Sequence, residues 1–275
     1  MTKLIGQSIA RVDARAKVTG EATYPGDMSM PDQLHAKIRF AGRPHARVVR
    51  IDPAAALAVP GVVAVFTAAD VPVNEYGLQT PDQPVLCGPG SQEPDADRVR
   101  FVGDQVALIV AETEQAAAQG RDLVEIEYED LPAVTDPFQA LEPDAPQLHP
   151  HRQPSEFHPE LNGLEGNRLS HHQIRKGDME AGWAAAEVIV EGEYYASPQE
   201  HAYLQPEAGL AYVDDQGRVT VVVAGQWTWE DQRQIAHALG LPQEQVRVIY
   251  PAIGGAFGGR EDMSVSYTHL TLPTN

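Results

Sequence analysis

The stretch best suited to chemistry is a glycine-rich loop at residues 254–261, whose sequence is GGAFGGRE. Glycine has no Cβ and adopts positive φ readily, so such a loop can bring its backbone N–H groups directly against a ligand. One aromatic residue, Phe257, lies between the two glycine pairs with no helix or strand pattern around it. The preceding residues alternate, with Val246, Val248 and Tyr250 on one face. The pattern predicts a half-buried strand that ends in a ligand-binding loop.

Two common functions of glycine loops do not fit these residues. A P-loop requires Lys followed by Ser or Thr after its last glycine, whereas Arg260 and Glu261 follow here, and the dinucleotide spacing G-x-G-x-x-G is absent. Most isolated glycine clusters are flexible surface loops, and on these residues alone that alternative stays open. A nucleotide-dependent enzyme is a further competing hypothesis, and it predicts that ATP or NAD binds at the loop.

The composition disfavours several function classes. The formal charge is −19, from 39 acidic against 20 basic residues, which opposes binding to nucleic acid or to an anionic membrane. The sequence has no apolar run of 18 residues and its N-terminus lacks an apolar signal core, so we expect a cytoplasmic protein without a membrane span. Cys87 is the single cysteine, which excludes a cysteine-ligated iron–sulfur cluster within this chain. Any electron transfer would need another subunit.

The first half of the chain has the pattern of a small unit of mixed helices and strands. Its apolar patterns predict helices over 53–57 and 114–122, a long loop over 71–97, and strands over 34–41, 62–67, 101–110 and 124–128, the second and third of them buried. Strict alternation in the last strand places Glu125 and Glu127 in solvent. We therefore do not assign these two carboxylates to paired acid–base chemistry.

A connector rich in proline and histidine, residues 132–169, precedes the second half of the chain. The histidines in or beside it have no cysteine partners and no regular element to hold them, so we predict no metal site at His149, His151, His158, His171 and His172. Further on, the patterns predict a short helix capped by Asp178, strands over 187–195 and 219–223, and a helix over 230–239 that ends at Gly240.

The glycine loop and several other segments resemble a known family in the same order. Residues 254–261 are similar to the Gly-Gly-x-Phe-Gly-Gly-Lys/Arg-Glu loop in the molybdopterin-binding subunit of the molybdenum hydroxylases, the xanthine dehydrogenase and aldehyde oxidase family. The opening segment 12–27 (VDARAKVTGEATYPGD), the segment 199–207 (QEHAYLQPE), and Gln226 followed by a helix also match the family pattern. The resemblance covers residues 5–265.

This resemblance implies an α+β fold with two domains. An α/β-hammerhead domain with an N-terminal lead-in would occupy residues 1–140, a linker 141–170, and the first part of a molybdenum-cofactor-binding domain 171–265. In the family, a catalytic glutamate and further glycine-rich segments follow, so we expect an N-terminal fragment that is inactive alone. Residues 266–275 do not continue the family pattern, and we expect them to be an artefactual tail.

The resemblance also implies a reaction, the hydroxylation of a heteroaromatic, purine-like or aldehyde substrate with water as the oxygen source. The cofactor would be the molybdenum cofactor, as molybdopterin or its cytosine dinucleotide, with the metal held by the pterin dithiolene rather than by side chains. Electrons would pass to 2Fe-2S clusters and FAD carried by partner subunits. The alternative is a non-catalytic assembly or binding fragment that lacks the rest of the active site.

Position by position, the resemblance assigns roles to individual residues. Gln226 matches the glutamine that hydrogen-bonds an oxygen ligand of molybdenum, and is both a catalytic and a cofactor-binding candidate. Glu261 matches a glutamate beside the substrate pocket of xanthine-oxidising enzymes and is the second catalytic candidate. His201 and Glu207 are assigned structural hydrogen bonds, and Gly225 departs from the Ser or Thr usual before the glutamine. The loop residues expected to bind the cofactor are Gly254, Gly255, Phe257, Gly258 and Gly259.

Overall fold

The chain forms two units of mixed helices and strands in a computed structural model, which describes residues 5–78, 81–151 and 162–261. The predicted α+β class is confirmed. His158 and the tail 266–275, on which the sequence carried predictions, lie outside the described residues. Among the helices that are described, none is long and apolar enough to cross a membrane.

The first unit contains two antiparallel sheets and three helices. Its helices are α1 (Ala14–Thr19), α2 (Ala54–Leu57) and α3 (Glu114–Leu123). Its strands are β1 (His35–Phe40), β2 (Ala46–Asp52), β3 (Val62–Phe66), β4 (Arg98–Val99), β5 (Gln105–Ala111) and β6 (Glu125–Asp130). The strand orders are β1-β5-β3 and β4-β2-β6.

The core of the first unit lies around β5, the central strand of its sheet, which is buried from its second residue to its last. Ile109 of β5 is fully buried. Helix α3 packs closely on it because Gly120 has no side chain: a Cβ there would lie 3.0 Å from Ile109 Cγ2. The helix begins where Thr113 Oγ1 accepts a hydrogen bond from the Ala116 N–H at 3.1 Å.

The second unit is built around one sheet with strand order β7-β8-β9. Its elements are α4 (Met179–Ala185), β7 (Gly209–Val213), β8 (Val219–Val223), α5 (Thr228–Ala238) and β9 (Val246–Ile249). Strands β7 and β8 form an antiparallel hairpin, whereas β8 and β9 are parallel and are connected through α5. The predicted cap of α4 is confirmed, since Asp178 Oδ1 accepts from the Ala181 N–H at 3.0 Å.

Two predicted features of the first unit are wrong. The strand expected from Phe101 begins only at Gln105. Before it, Asp104 Oδ2 accepts hydrogen bonds from the backbone N–H groups of Arg100 and Phe101, at 2.6 and 3.2 Å, and these bonds hold a turn. The strand β3, expected to be buried, is an edge strand on which Val63 is 51% exposed.

The strand predicted over 187–195 is not formed. Every residue from 168 to 202 is exposed, and Val188, Val190 and Tyr194 are 79%, 87% and 93% exposed. A β-strand is stable only when its backbone groups pair with a neighbouring strand, and within the described residues no strand lies beside this segment. The alternating pattern is present, but the pairing that would turn it into a strand is not.

We expect Ile109→Ala to lower the free energy of unfolding by about 3 kcal/mol, because it leaves a cavity between β5 and α3. Urea denaturation followed by circular dichroism measures the change. The control is Val63→Ala on the exposed edge strand, for which we expect a loss below about 1 kcal/mol. Equal losses in the two variants would contradict the central position of Ile109.

Candidate functional site

Gln226 and the glycine loop meet at one edge of the sheet in the second unit. Strands β8 and β9 are parallel neighbours, so their carboxyl ends lie at the same edge. Gln226 follows shortly after β8, and the loop follows shortly after β9. In sheets of this kind, ligands bind outside the carboxyl ends of the strands. The strand topology therefore brings together two features that are separated in sequence.

Gln226 is attached to the loop by three hydrogen bonds. Its backbone N–H donates to Arg260 O at 2.9 Å. Its side-chain Oε1 accepts from the backbone N–H groups of Gly258 at 2.8 Å and Arg260 at 3.4 Å. Because an amide oxygen only accepts, these bonds set the orientation of the side-chain amide and leave Nε2 as the outward donor. Nε2 contacts no acceptor among the residues that the structure describes.

Arg260 anchors the far end of the loop from inside the protein. Its side chain is 0% exposed. Its Nε and Nη2 donate to Glu207 Oε1 at 2.9 and 2.8 Å, and Nη2 also donates to Gln205 O at 2.8 Å. The guanidinium lies over the ring of Tyr203, 4.1 Å from its centroid. A buried cation requires such pairing, so Arg260 fixes the loop to the segment 203–207. Glu207 thus forms the kind of hydrogen bonds that were expected of it.

Gln205 joins the two ends of the loop. Its Oε1 accepts from the Gly254 N–H at 2.6 Å and from Arg260 Nη1 at 3.1 Å. The chain passes so close that a Cβ on Gly254 would lie 2.7 Å from Gln205 Cβ. His201 packs beside the loop as well, since a Cβ on Gly259 would lie 3.0 Å from its Cγ. A Cβ at Gly254 would overlap Gln205, whereas a Cβ at Gly259 would require the His201 ring to shift by a few tenths of an ångström.

Three successive N–H groups of the loop form no hydrogen bond with any residue that the structure describes: those of Gly255, Ala256 and Phe257. Consecutive backbone N–H groups create a concave site for anionic or oxygen-rich groups. Phe257 has φ +54°, a left-handed conformation that is uncommon for residues other than glycine, and it is 75% exposed. Such conformations cluster at ligand sites.

The presence of glycine at position 225, in place of the expected Ser or Thr, is explained by the side chains packed behind Gln226. A Cβ at this position would overlap the Tyr250 hydroxyl and would lie 2.8 Å from Asp231 Oδ2. The hydroxyl donates to Asp231 Oδ2 at 2.5 Å. Burial, and then this hydrogen bond, raise the pKa of Tyr250 well above its ordinary value, so the donor remains protonated. A serine or threonine does not fit against this pair.

Glu261 is partly buried at the end of the loop, and its carboxylate forms no hydrogen bond or ion pair within the described ranges. No group of three or more His, Cys, Asp or Glu side chains is arranged to hold a metal ion in the part of the chain that the structure describes. Glu261 thus lies beside the loop as a single acceptor and not as a member of a carboxylate cluster.

Sequence reasoning missed the function of Gln205 and the anchoring by Arg260. Both residues belong to segments that resemble the family, but their pairing spans 55 residues. No local pattern encodes such a pairing. The available signal was Arg260 itself, a basic residue inside a glycine loop. When such a residue is buried, it requires a carboxylate partner elsewhere in the chain.

Comparison with known families agrees with this geometry. The α/β-hammerhead domain of aldehyde oxidase and xanthine dehydrogenase matches residues 19–132, and the molybdopterin cofactor-binding domain matches residues 161–272. The chain belongs to the xanthine dehydrogenase and aldehyde oxidase family. The order of the two domains along the chain is the order that the sequence predicted.

Individual relatives match nearly the whole of this chain. The nicotinate dehydrogenase large molybdopterin subunit of Eubacterium barkeri is 33% identical over 99% of the chain. The xanthine dehydrogenase molybdenum-binding subunit of Escherichia coli O157:H7 is 33% identical over 92%. The chain spans 59% of the first relative and 32% of the second.

Solved structures show the same fold. Carbon monoxide dehydrogenase from Oligotropha carboxidovorans is 29% identical with a TM-score of 0.76, and the alignment covers 98% of this chain and 35% of that one. Aldehyde oxidoreductase from Desulfovibrio gigas is 27% identical with a TM-score of 0.78, covering 96% of this chain and 30% of that one.

We expect Arg260→Met to lower the free energy of unfolding by about 4 kcal/mol, because it leaves the Glu207 carboxylate without its buried partner. Arg121→Met is the matched control: Arg121 pairs with Asp122 at 2.8 Å on the surface, and its loss should cost less than about 1 kcal/mol. Urea denaturation of both variants measures the difference. If both variants lost less than about 1 kcal/mol of unfolding free energy, Arg260 would not anchor the loop.

Proposed function

We propose that this chain supplies part of the molybdenum-cofactor site of an oxidoreductase that hydroxylates a heteroaromatic, purine-like or aldehyde substrate, with water as the oxygen source. The observation that carries the proposal is the row of N–H donors at Gly255, Ala256 and Phe257, unpaired within the described residues, beside the outward Nε2 of Gln226. The match of residues 161–272 to the molybdopterin cofactor-binding domain supports it.

The donors at this site fit the molybdenum cofactor. An oxygen-rich, anionic pterin cofactor needs hydrogen-bond donors from the protein, and the loop offers backbone N–H groups that are already held in place. When bound, the cofactor supplies the two-electron oxidation chemistry that side chains cannot perform. Cofactor binding is assigned to Gly254, Gly255, Phe257, Gly258, Gly259 and Gln226. The N–H groups of Gly254 and Gly258 already bond to Gln205 and Gln226, so these two glycines contribute in another way: Gly254 allows the close approach of Gln205, and Gly258 allows a positive φ.

Gln226 and Glu261 are proposed to act on the substrate side. The neutral amide of Gln226 donates from Nε2 without giving up a proton, which suits an oxygen acceptor whose charge changes during a reaction. The Glu261 carboxylate, which has no partner among the described residues, is able to accept a hydrogen bond from a ring N–H of a heteroaromatic substrate. The two residues would therefore orient the reacting groups rather than form bonds with them.

The proposed electron acceptors are a 2Fe-2S subunit and an FAD subunit. Cys87 is 1% exposed, and its burial raises the pKa of the thiol far above its ordinary value, so it does not provide a thiolate ligand. The names of relatives as subunits, such as the large molybdopterin subunit of the Eubacterium enzyme, support an assembly of several chains.

Gly258→Val should reduce the molybdenum content of the purified subunit about tenfold, because valine is strained at φ +92° and the backbone must turn its N–H groups away. Gly217→Val, at φ +76° in the turn between β7 and β8, carries the same kind of strain away from the site and should leave the content unchanged. Elemental analysis of protein from cells that make the cofactor tests this. Normal loading of the Gly258 variant would refute the loop assignment.

Gln226→Glu should retain the cofactor but lower the turnover of the assembled enzyme about 100-fold, because a carboxylate has the same shape and offers no N–H donor. Gln216→Glu, in the exposed turn after β7, is the charge-matched control and should keep full turnover. The measurement is steady-state oxidation together with molybdenum content. An unchanged rate for the Gln226 variant would make that residue purely structural.

A further inference from the structure

The N-terminal lead-in reaches across the molecule to the start of the glycine loop. Lys17 of α1 donates from Nζ to Ile253 O at 3.2 Å, a contact between residues 236 positions apart in sequence. A second contact follows nearby, where the Ala252 N–H donates to Thr23 O at 3.3 Å. The lead-in therefore contacts the two residues immediately before the loop that the proposed function depends on, although it lies at the other end of the sequence.

The Lys17 contact and a hydrogen bond to Gln205 act on one peptide group. The carbonyl of Ile253 and the N–H of Gly254 belong to the same peptide plane, which is held on both sides: Lys17 binds the carbonyl, and Gln205 Oε1 binds the N–H at 2.6 Å. A peptide plane that is fixed at both ends cannot rotate without breaking both bonds. Its orientation sets the direction in which the chain enters the run of unpaired N–H groups.

Lys17 is itself held in position by charge. Asp13 Oδ2 lies 3.1 Å from Lys17 Nζ, and Arg11 forms two hydrogen bonds to the same carboxylate at 3.0 and 2.8 Å. The two basic groups, first Arg11 and then Lys17, lower the pKa of Asp13 below its ordinary value. Only 24% of the Lys17 side chain is exposed. The ammonium group thus has one carboxylate and one carbonyl as fixed partners.

We propose that Lys17 is a positioning residue of the cofactor site, which fixes the peptide between Ile253 and Gly254 and thereby the donor row of the loop. The proposal rests on the proposed function only in one respect, the identity of the ligand that the loop binds. The positioning itself is a property of the chain without any cofactor. A direct readout is the hydrogen exchange of the loop amides that are bonded, those of Gly254 and Gly258.

Hydrogen exchange of the full chain without cofactor tests the proposal. In Lys17→Met, we expect exchange at the Gly254 and Gly258 amides to become about tenfold faster, because a hydrogen bond from a charged donor is lost. Lys17→Arg keeps a charged donor and should restore slow exchange. Asp13→Asn keeps the lysine but removes the charge that holds it, so it should give a smaller acceleration in the same direction, and it guards against misfolding of the lysine variant.

Lys37→Met is the matched control. Lys37 pairs with Glu114 at 2.6 Å and is 27% exposed, close to the exposure of Lys17, but it lies on β1 of the first unit. It should leave exchange in the loop unchanged. Wild-type rates in Lys17→Met, equal acceleration in Lys37→Met, or no rescue by Lys17→Arg would each overturn the proposal. If loop exchange depends on Lys17 but the subunit never retains molybdenum, the cofactor assignment fails and the positioning role stands.

Discussion

Parallel pairing of β8 and β9 is the constraint on which the site depends. Parallel neighbours cannot be joined by a tight turn, so the connection must leave the sheet and return, and α5 occupies that connection. The helix is held against the sheet by its buried face, which includes Ile235 and Ala236. As a result, the segment that leaves β8 and the segment that leaves β9 emerge side by side. Gln226 lies on the first and the glycine loop on the second.

The loop is supported on its inner side by side chains that bond to one another. The Arg260 guanidinium is fully buried, and Gln205, Glu207 and the ring of Tyr203 surround it. Because these groups occupy the inner side of the loop, the unpaired backbone N–H groups are the donors left for a ligand. Donors that are already held in place lose little freedom on binding, which favours both affinity and stabilisation of charge that develops during a reaction.

Neighbouring residues were sufficient to predict the features that depend only on local interactions. The cap at Asp178, and the alternation of β6 with Glu125 and Glu127 in solvent, are set by neighbouring residues, and the structure shows them as predicted. The two-domain order followed from motifs that keep their spacing along the chain. The strand at 187–195 was predicted by the same kind of pattern and does not form, because strand formation also requires a partner.

By itself, the sequence determined the α+β class, the family and the glycine loop, since backbone preference and glycine spacing depend on residues that are close together in the sequence. Tertiary structure alone decided how that loop is held. The pairing of Arg260 with Gln205, the orientation of the Gln226 amide and the contact from Lys17 to Ile253 join residues 55, 32 and 236 positions apart. Hydrogen bonds over such separations form only after the strand pairing and the crossover connection have brought distant residues together, and no local sequence pattern specifies that arrangement.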